Sequence, residues 1–458
     1  MPRVVIVSPP FLSHARPLSA LAAALRDRGA EVFFACTEAF EDLAKDSGAR
    51  FEPLGVTRNA NTGVAETTPQ GASESARLAE FLRATRAGAV PALMTQARHR
   101  RADMMADPAG VFVALAELDG RLRPDWYVVD QLSYAATLAL HCLGLPYATY
   151  CPGHPTYVLD GDDAWFGVPY AWPEALRLGL GDLTRLRAVA RRNDREFTAL
   201  FDRFVRERAP GAAGVDRAFA LTSPHAVVYA YPRLSWLPAP QPGPEHVYAG
   251  HMAGPTAPLD DAWADRLARL RERADRIVLV ALGTFLTARD DVVRTVVRGA
   301  LAGDDRVAVV AAAGARSEAL ADLVSDRVVV LPSVPQQSLL PHVDAMVHHG
   351  GNNSFTECLR AGVPALVLPF SSDQFAIAHD AERAAVGVVR DPNRLAPEEV
   401  TAALDRVYRL ARGVAGWARH LRSGGPDRAA ARLLDIMGGA GAGRAPETGA
   451  GVGAEGSR

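Results

Sequence analysis

The chain has 458 residues, 48% of them hydrophobic and 22% charged, with a formal net charge of −2 at pH 7. That length implies about two or three domains with substantial cores, and the composition is that of an ordinary globular chain. The balanced charge excludes the basic footprint of a nucleic-acid-binding protein.

Taken in chain order, the first segment alternates strand and helix patterns, which favours a parallel sheet covered by helices on both faces. A strand is expected over 3–8, a helix over 17–28 with Pro17 in its first turn and Gly29 at its end, and a strand over 31–36. The stretch 55–75 is rich in Thr, Gly, Asn and Pro and reads as a loop; a strand over 125–129, a helix over 133–143 and a strand over 147–150 follow. The longest run without Asp, Glu, Lys or Arg, 131–159, is interrupted by His141, His154 and prolines. It lacks the ~20 continuous apolar residues of a membrane helix and reads as a buried helix, a strand and a loop.

The passage 231–258 is dense in proline (Pro238, Pro240, Pro242, Pro244), which is hostile to helices and central strands, and reads as an inter-domain linker. The alternation then restarts with a strand over 277–282, a helix over 290–301 and strands over 307–311 and 328–331. The Gly/Ala-rich end, 438–458, has no apolar periodicity and is expected to be a disordered tail. The N-terminus enters the strand Arg3-Val4-Val5-Ile6-Val7 directly, so no signal peptide is expected. Cys36, Cys142, Cys151 and Cys358 form no C-x-x-C pair and no framework, which points to a reduced, cytoplasmic protein.

Chemistry concentrates in His348-His349-Gly350-Gly351-Asn352-Asn353-Ser354-Phe355-Thr356-Glu357 and in Asp373-Gln374. A glycine turn leaving a short strand (345–348) and opening a helix (354–361) aims backbone N–H groups and the positive helix end at one point, which suits a phosphate. His349, Asn353 and Ser354 add side-chain donors, and Glu357 and Asp373-Gln374 can grip hydroxyl groups on either side. His14 lies beyond the first strand, where ligands of open α/β sheets bind, and a neutral imidazole there can take a proton from an acceptor hydroxyl.

Pro335-Gln336, His349-Gly-Gly-Asn-Asn353-Ser354, Glu357, Gly362-Val363-Pro364 and Asp373-Gln374 resemble the donor signature of the UDP-glycosyltransferase superfamily, which holds plant secondary-metabolite and actinobacterial macrolide glycosyltransferases. The resemblance implies the GT-B fold, an α/β architecture of two doubly wound Rossmann-like domains facing each other across a cleft. The expected domains are an acceptor-binding unit over 1–235, a linker over 236–258 and a nucleotide-sugar-binding unit over 259–437, with the last helix free to pack back on the first unit.

The resemblance further implies an inverting hexosyltransferase that moves sugar from a nucleotide diphosphate donor, UDP-linked by preference over dTDP-linked, to a small-molecule natural product. His14 would be the general base, after Ser13 where the family has Gly, and Asp130 its partner; an Asp before a helix can also serve as its N-cap. Thr284, His349, Gly351, Asn353 and Ser354 would hold the diphosphate, and Gln336 the base. Glu357 would hold the ribose or else close a capping box with Ser354; Asp373 and Gln374 would read the sugar, or Asp373 cap a helix. Ser333 stands where plant members have a stacking Trp.

Tyr157, Trp165, Phe166, Tyr170 and Trp172 are candidates for the acceptor pocket. No cofactor, no metal, no nucleic acid and no membrane insertion are expected, and the protein would act as a monomer or homodimer. Competing readings are a silent nucleotide-sugar-binding partner subunit and a sugar-nucleotide epimerase of the same fold. A nicotinamide-dependent oxidoreductase would need a G-x-G-x-x-G after the first strand, and 8–14 contains no glycine.

Overall fold

The computed structural model describes residues 1–158, 161, 164–421 and 423–440. Two parallel sheets carry the fold. The first runs in the order β3-β2-β1-β4-β5-β6-β7, with β1 Arg3–Val7, β2 Glu31–Cys36, β3 Arg50–Pro53, β4 Trp126–Asp130, β5 Tyr147–Cys151, β6 Ala226–Tyr229 and β7 Glu245–Tyr248. The second runs β10-β9-β8-β11-β12-β13, with β8 Arg276–Ala281, β9 Val307–Ala312, β10 Val328–Leu331, β11 Ala345–His348, β12 Ala365–Val367 and β13 Gly387–Val389. This is the two-sheet α/β architecture the resemblance implied.

Both faces of each sheet are covered, so the central strands are nearly continuous apolar runs, unlike the edge strands β3 and β7. In β1, Val4 and Ile6 enter one core while Val5 and Val7 enter the other. In β8, Ile277 and Leu279 divide from Val278 and Val280 in the same way. That two-residue alternation is the pleat of a strand buried on both sides.

Each sheet reverses its strand order once. β1 pairs on one side with β2 (Val4 opposite Val32) and on the other with β4 (Val4 opposite Trp126). β8 sits in the same way between β9 and β11. Such reversals leave a crevice beyond the strand ends, and the residues singled out from sequence follow these strands.

Several elements differ from expectation. The first helix is Leu12–Asp27, so His14 lies in its first turn and Pro17 lies inside it rather than at its start. The carbonyl that Pro17 leaves without an intrahelical donor is that of Ser13, and it finds another partner across the cleft. The loop at 55–75 ends early, because the helix Ala72–Ala87 begins at Ala72.

The helix Asn352–Ala361 starts two residues before the expected Ser354. The Pro-dense passage contains β7, the edge strand of the first sheet, a position that tolerates nearby proline. The last helix, Pro426–Ala440, continues through Gly438 and Gly439. It is held by Ala429, Ala430, Leu433 and Met437, buried in the core of the first sheet. Residues 441–458 of the expected tail lie outside the described residues.

The helices Ala72–Ala87 and Ala89–Met104 carry few buried apolar positions, yet both cross to the other half, whereas Leu180–Arg208 buries a stripe from Leu186 to Val205. Leu82 is buried among the residues of the second sheet's core. The Thr85 carbonyl accepts from Arg289 (3.3 Å) and Asn393 (2.9 Å).

Candidate functional site

At the first reversal, His14 Nδ1 lies 2.9 Å from Oδ2 of Asp130, which ends β4. Asp130 is fully buried, and the N–H of Leu132 donates to its other oxygen at 2.9 Å. Asp130 does not cap the following helix Tyr134–Leu143, whose N-cap is Ser133; its side chain bonds His14 and closes the turn after β4 instead. A carboxylate at Nδ1 favours the tautomer with its proton there, leaving the lone pair on Nε2. The Phe11 ring meets the imidazole edge-on at 5.5 Å and limits its rotation.

At the second reversal, the turn after β11 is shaped by two histidines. His348 is buried and its Nδ1 accepts the Gly350 N–H at 3.0 Å, so it serves the turn. His349 fits between two glycines. A Cβ on Gly351 would fall 2.3 Å from its Nε2, and one on Gly283 would fall 2.5 Å from its Cε1. Any side chain at either position would displace the ring. Burial pushes the His349 pKa down to about 4, so at neutral pH it is an uncharged donor, and its Nδ1 has no hydrogen-bond partner.

The helix Asn352–Ala361 opens at Gly351, and Phe355 N–H to the Gly351 carbonyl (3.0 Å) begins its ladder. The N–H groups of Asn352, Asn353 and Ser354 therefore have no intrahelical acceptor and face the turn.

Gln336, Ser354 and Glu357 are brought together. Gln336 Nε2 donates to Ser354 Oγ (3.2 Å) and to Glu357, and Gln337 Nε2 donates to the other Glu357 oxygen at 3.0 Å. The capping box is absent because the helix starts at Asn352, which puts Ser354 inside it. Burial raises the Glu357 pKa, partly opposed by the two amides. Ser333 is exposed.

Asn353 was expected among the phosphate donors, but its amide nitrogen donates to the Ser13 carbonyl at 2.9 Å. Thr284 follows β8, and Asn61, from the loop after β3, donates to Thr284 Oγ1 at 2.9 Å. With its oxygen already accepting, the Thr284 hydroxyl is left with a proton to give. The sequence did not single out Asn61; only the crossing of its loop brings it here.

Asp373 does not cap the helix Gln374–Arg383 with its side chain. Its Oδ2 accepts the backbone N–H of His154 at 3.0 Å, which places the carboxylate beside the end of the first sheet. Gln374 Oε1 accepts from the N–H groups of Phe370 (2.8 Å) and Ser371 (3.1 Å), leaving its amide nitrogen without a bond among the described residues.

Beneath this pair lies a cluster with no sequence signal. Asp380, fully buried, accepts from His154 (2.9 Å), Tyr231 (2.8 Å), Trp236 (2.9 Å) and Tyr170 (2.5 Å). Burial opposes its ionisation, but these bonds, that to His154 foremost, lower its pKa overall. Tyr170 is thus a strut between the halves. Among the other candidate aromatics, Phe166 stacks on Phe219 and Trp172 packs on Phe375. The Tyr157 hydroxyl meets Ser372 Oγ at 2.6 Å.

Asp344 pairs with Arg271 at the start of β11, away from His348 and His349. Among the described residues no group of three or more His, Cys, Asp or Glu is arranged to hold a metal ion, and no helix is long and apolar enough to cross a membrane.

Comparison with known proteins agrees with this fold. Residues 296–419 match the model of the erythromycin biosynthesis protein CIII-like C-terminal domain. The chain is 26% identical to 4'-demethylrebeccamycin synthase of Lentzea aerocolonigenes over 416 residues, 88% of this chain and 91% of that protein. The glycosyltransferase of kitacinnamycin superposes with a TM-score of 0.68 at 20% identity, covering 95% of this chain and 100% of the other. Spinosyn rhamnosyltransferase SpnG complexed with thymidine diphosphate superposes with a TM-score of 0.60 at 18% identity, covering 95% and 100%. The chain therefore has the GT-B fold, carries an erythromycin biosynthesis protein CIII-like C-terminal domain over residues 296–419, and is similar along most of its length to natural-product glycosyltransferases.

Proposed function

We propose that the chain is an inverting glycosyltransferase that moves a hexose from a nucleotide diphosphate sugar to a hydroxyl of a small-molecule natural product. The unit over 1–235 would bind the acceptor and that over 259–437 the donor, joined through 236–258. The observation that carries the reading is the His14–Asp130 pair, which faces the open N-terminus of Asn352–Ala361 and is linked to it through Asn353 and Ser13.

In this reaction His14 Nε2 removes the proton of the acceptor hydroxyl as that oxygen attacks C1 of the sugar. The C1–O bond to the diphosphate breaks on the opposite face, and the nucleoside diphosphate leaves with the bonding electrons. A single displacement inverts C1. Asp130 stabilises the imidazolium that forms. The developing diphosphate charge would be met by the N–H groups of residues 352–354, by the Thr284 hydroxyl and by His349. Asp373 and the free amide of Gln374 would hold sugar hydroxyls, Gln336 the base edge and Glu357 the ribose.

A UDP-linked donor is favoured by a carboxylate at Glu357 that can accept from ribose hydroxyls. A dTDP-linked donor is the second reading, supported by the thymidine diphosphate complex of the spinosyn relative and by the two amides already on Glu357. Incubation with UDP-glucose or dTDP-glucose and a panel of phenolic and macrolide acceptors tests the reading. A mass increase of one hexose is expected with wild type and not with His14→Ala. Donor binding without any transfer would favour a silent partner subunit, and epimerised donor an epimerase.

A further inference from the structure

The helix Ala89–Met104 turns Leu93, Gln96 and Arg100 to one side, at three- and four-residue spacing. Leu93 packs with Phe375. Gln96 Oε1 accepts the N–H of Ser372 at 3.1 Å, directly before Asp373. Arg100, one turn further, is 8% exposed.

The Arg100 guanidinium lies over the Phe166 ring at 4.2 Å and donates once, to the Phe166 carbonyl at 2.9 Å. Among the described residues no carboxylate pairs with it, and its other N–H groups have no acceptor. A guanidinium carries five donors and cannot shed its charge under ordinary conditions. Burial disfavours the charged form, with only the Tyr157 and Tyr134 hydroxyls opposing that effect. No nitrogen of Arg100 is both fully enclosed and without a partner, so its free N–H groups can reach a ligand, and a cation this buried with one protein hydrogen bond is costly to the folded state.

The position is nonetheless built for it. Gly167, at φ +82°, lies so close that a Cβ there would fall 2.2 Å from a guanidinium nitrogen. Phe166 in turn contacts the Tyr157 ring at 4.8 Å, and the Tyr157 hydroxyl reaches Ser372. The guanidinium is therefore one aromatic layer from the sugar end of the cleft, on the acceptor side.

We propose that Arg100 binds a carboxylate on the acceptor, so that the natural product glycosylated is a hydroxy acid. This rests on the transferase reading above. A planar fork held against an aromatic ring matches a carboxylate through two parallel hydrogen bonds, and it compensates the stranded charge only when the acceptor is bound.

The test measures binding by calorimetry in the presence of UDP, using two matched pairs: 3-(4-hydroxyphenyl)propanoate and 4'-hydroxybiphenyl-4-carboxylate, each with its methyl ester. Wild type should bind at least one acid about tenfold or more tighter than its ester. Arg100→Gln should bring acid and ester to within about twofold, and Arg100→Lys should fall between. Equal binding of acid and ester by wild type, or binding of neither, overturns the proposal. So does an Arg100→Gln protein with a lowered melting temperature and an unchanged acid-to-ester ratio, which makes Arg100 structural. Because the readout needs no turnover, acid-selective binding lost in Arg100→Gln but without sugar transfer would overturn the transferase reading and leave only the carboxylate contact at Arg100 standing.

Discussion

Asn353 donates an amide N–H to the carbonyl oxygen of Ser13 at 2.9 Å, and that carbonyl is open because Pro17, four residues on, has no N–H to offer it. A proline inside the first helix thus provides the acceptor that ties the donor-side helix to the turn bearing His14. Pro17→Ala should supply a competing intrahelical donor. In a double-mutant cycle with Asn353→Ala, followed by urea unfolding, the pair should couple by about 0.5–1.5 kcal/mol. Additive effects would mean that the carbonyl serves both donors without loss.

His14→Ala should reduce transfer to an alcohol acceptor by about 10²–10⁴ while donor affinity stays nearly unchanged. An acidic phenol should lose less, since its proton is easier to remove. Full turnover by the variant on an alcohol would remove His14 from the mechanism.

Asp130→Asn keeps a carbonyl for the Leu132 N–H but presents the wrong charge and proton pattern to His14. The rate should fall with little change in donor affinity or melting temperature. A large loss of thermal stability at normal specific activity would leave Asp130 only its turn-closing role.

Transfer should survive EDTA, because in the proposed mechanism N–H groups at the start of Asn352–Ala361, the Thr284 hydroxyl and His349 would meet the charge of the leaving diphosphate. Glu357→Ala should raise the UDP-sugar dissociation constant and narrow the gap to the dTDP-sugar. Complete inhibition by EDTA, reversed by a divalent cation, would refute the metal-free site.

Burial lowers the pKa of His251 and His348 to about 3 and that of His349 to about 4, from 6.5. Below pH 6.5 the unfolded chain takes up protons that these folded groups refuse. Their contribution to stability is therefore present above 6.5 and lost as pH falls towards 4. The melting temperature should drop across that interval, and His251→Phe should have a shallower drop. An unchanged slope in the variant would assign the acid sensitivity to other groups.

Much of the second half was legible because its pattern is local. The run from His348 to Glu357 forms strand, glycine turn and helix in sequence, so free N–H groups gathered at the turn follow from the order of residues alone. The apolar runs of β1 and β8 likewise reveal buried parallel strands, since a sheet covered on both faces needs no polar alternation. His14 and Asp130 could be singled out as strand-end residues, but their 2.9 Å approach depends on β1 and β4 being neighbours although 116 residues separate the pair.

Tertiary structure alone decided the rest. Whether Glu357 closes a capping box depended on where its helix begins, and Asn352 takes that place. Asn353, Asn61 and Asp373 each bond across the cleft, to Ser13, Thr284 and His154. Asp380 gathers four donors that sequence scatters over 154–236. Arg100 reads as one more arginine of a polar helix until Phe166 and Gly167 close over it. The physical reason is common to all of these: a hydrogen bond's short reach records which backbones meet, and local propensity says nothing about partners a hundred residues away.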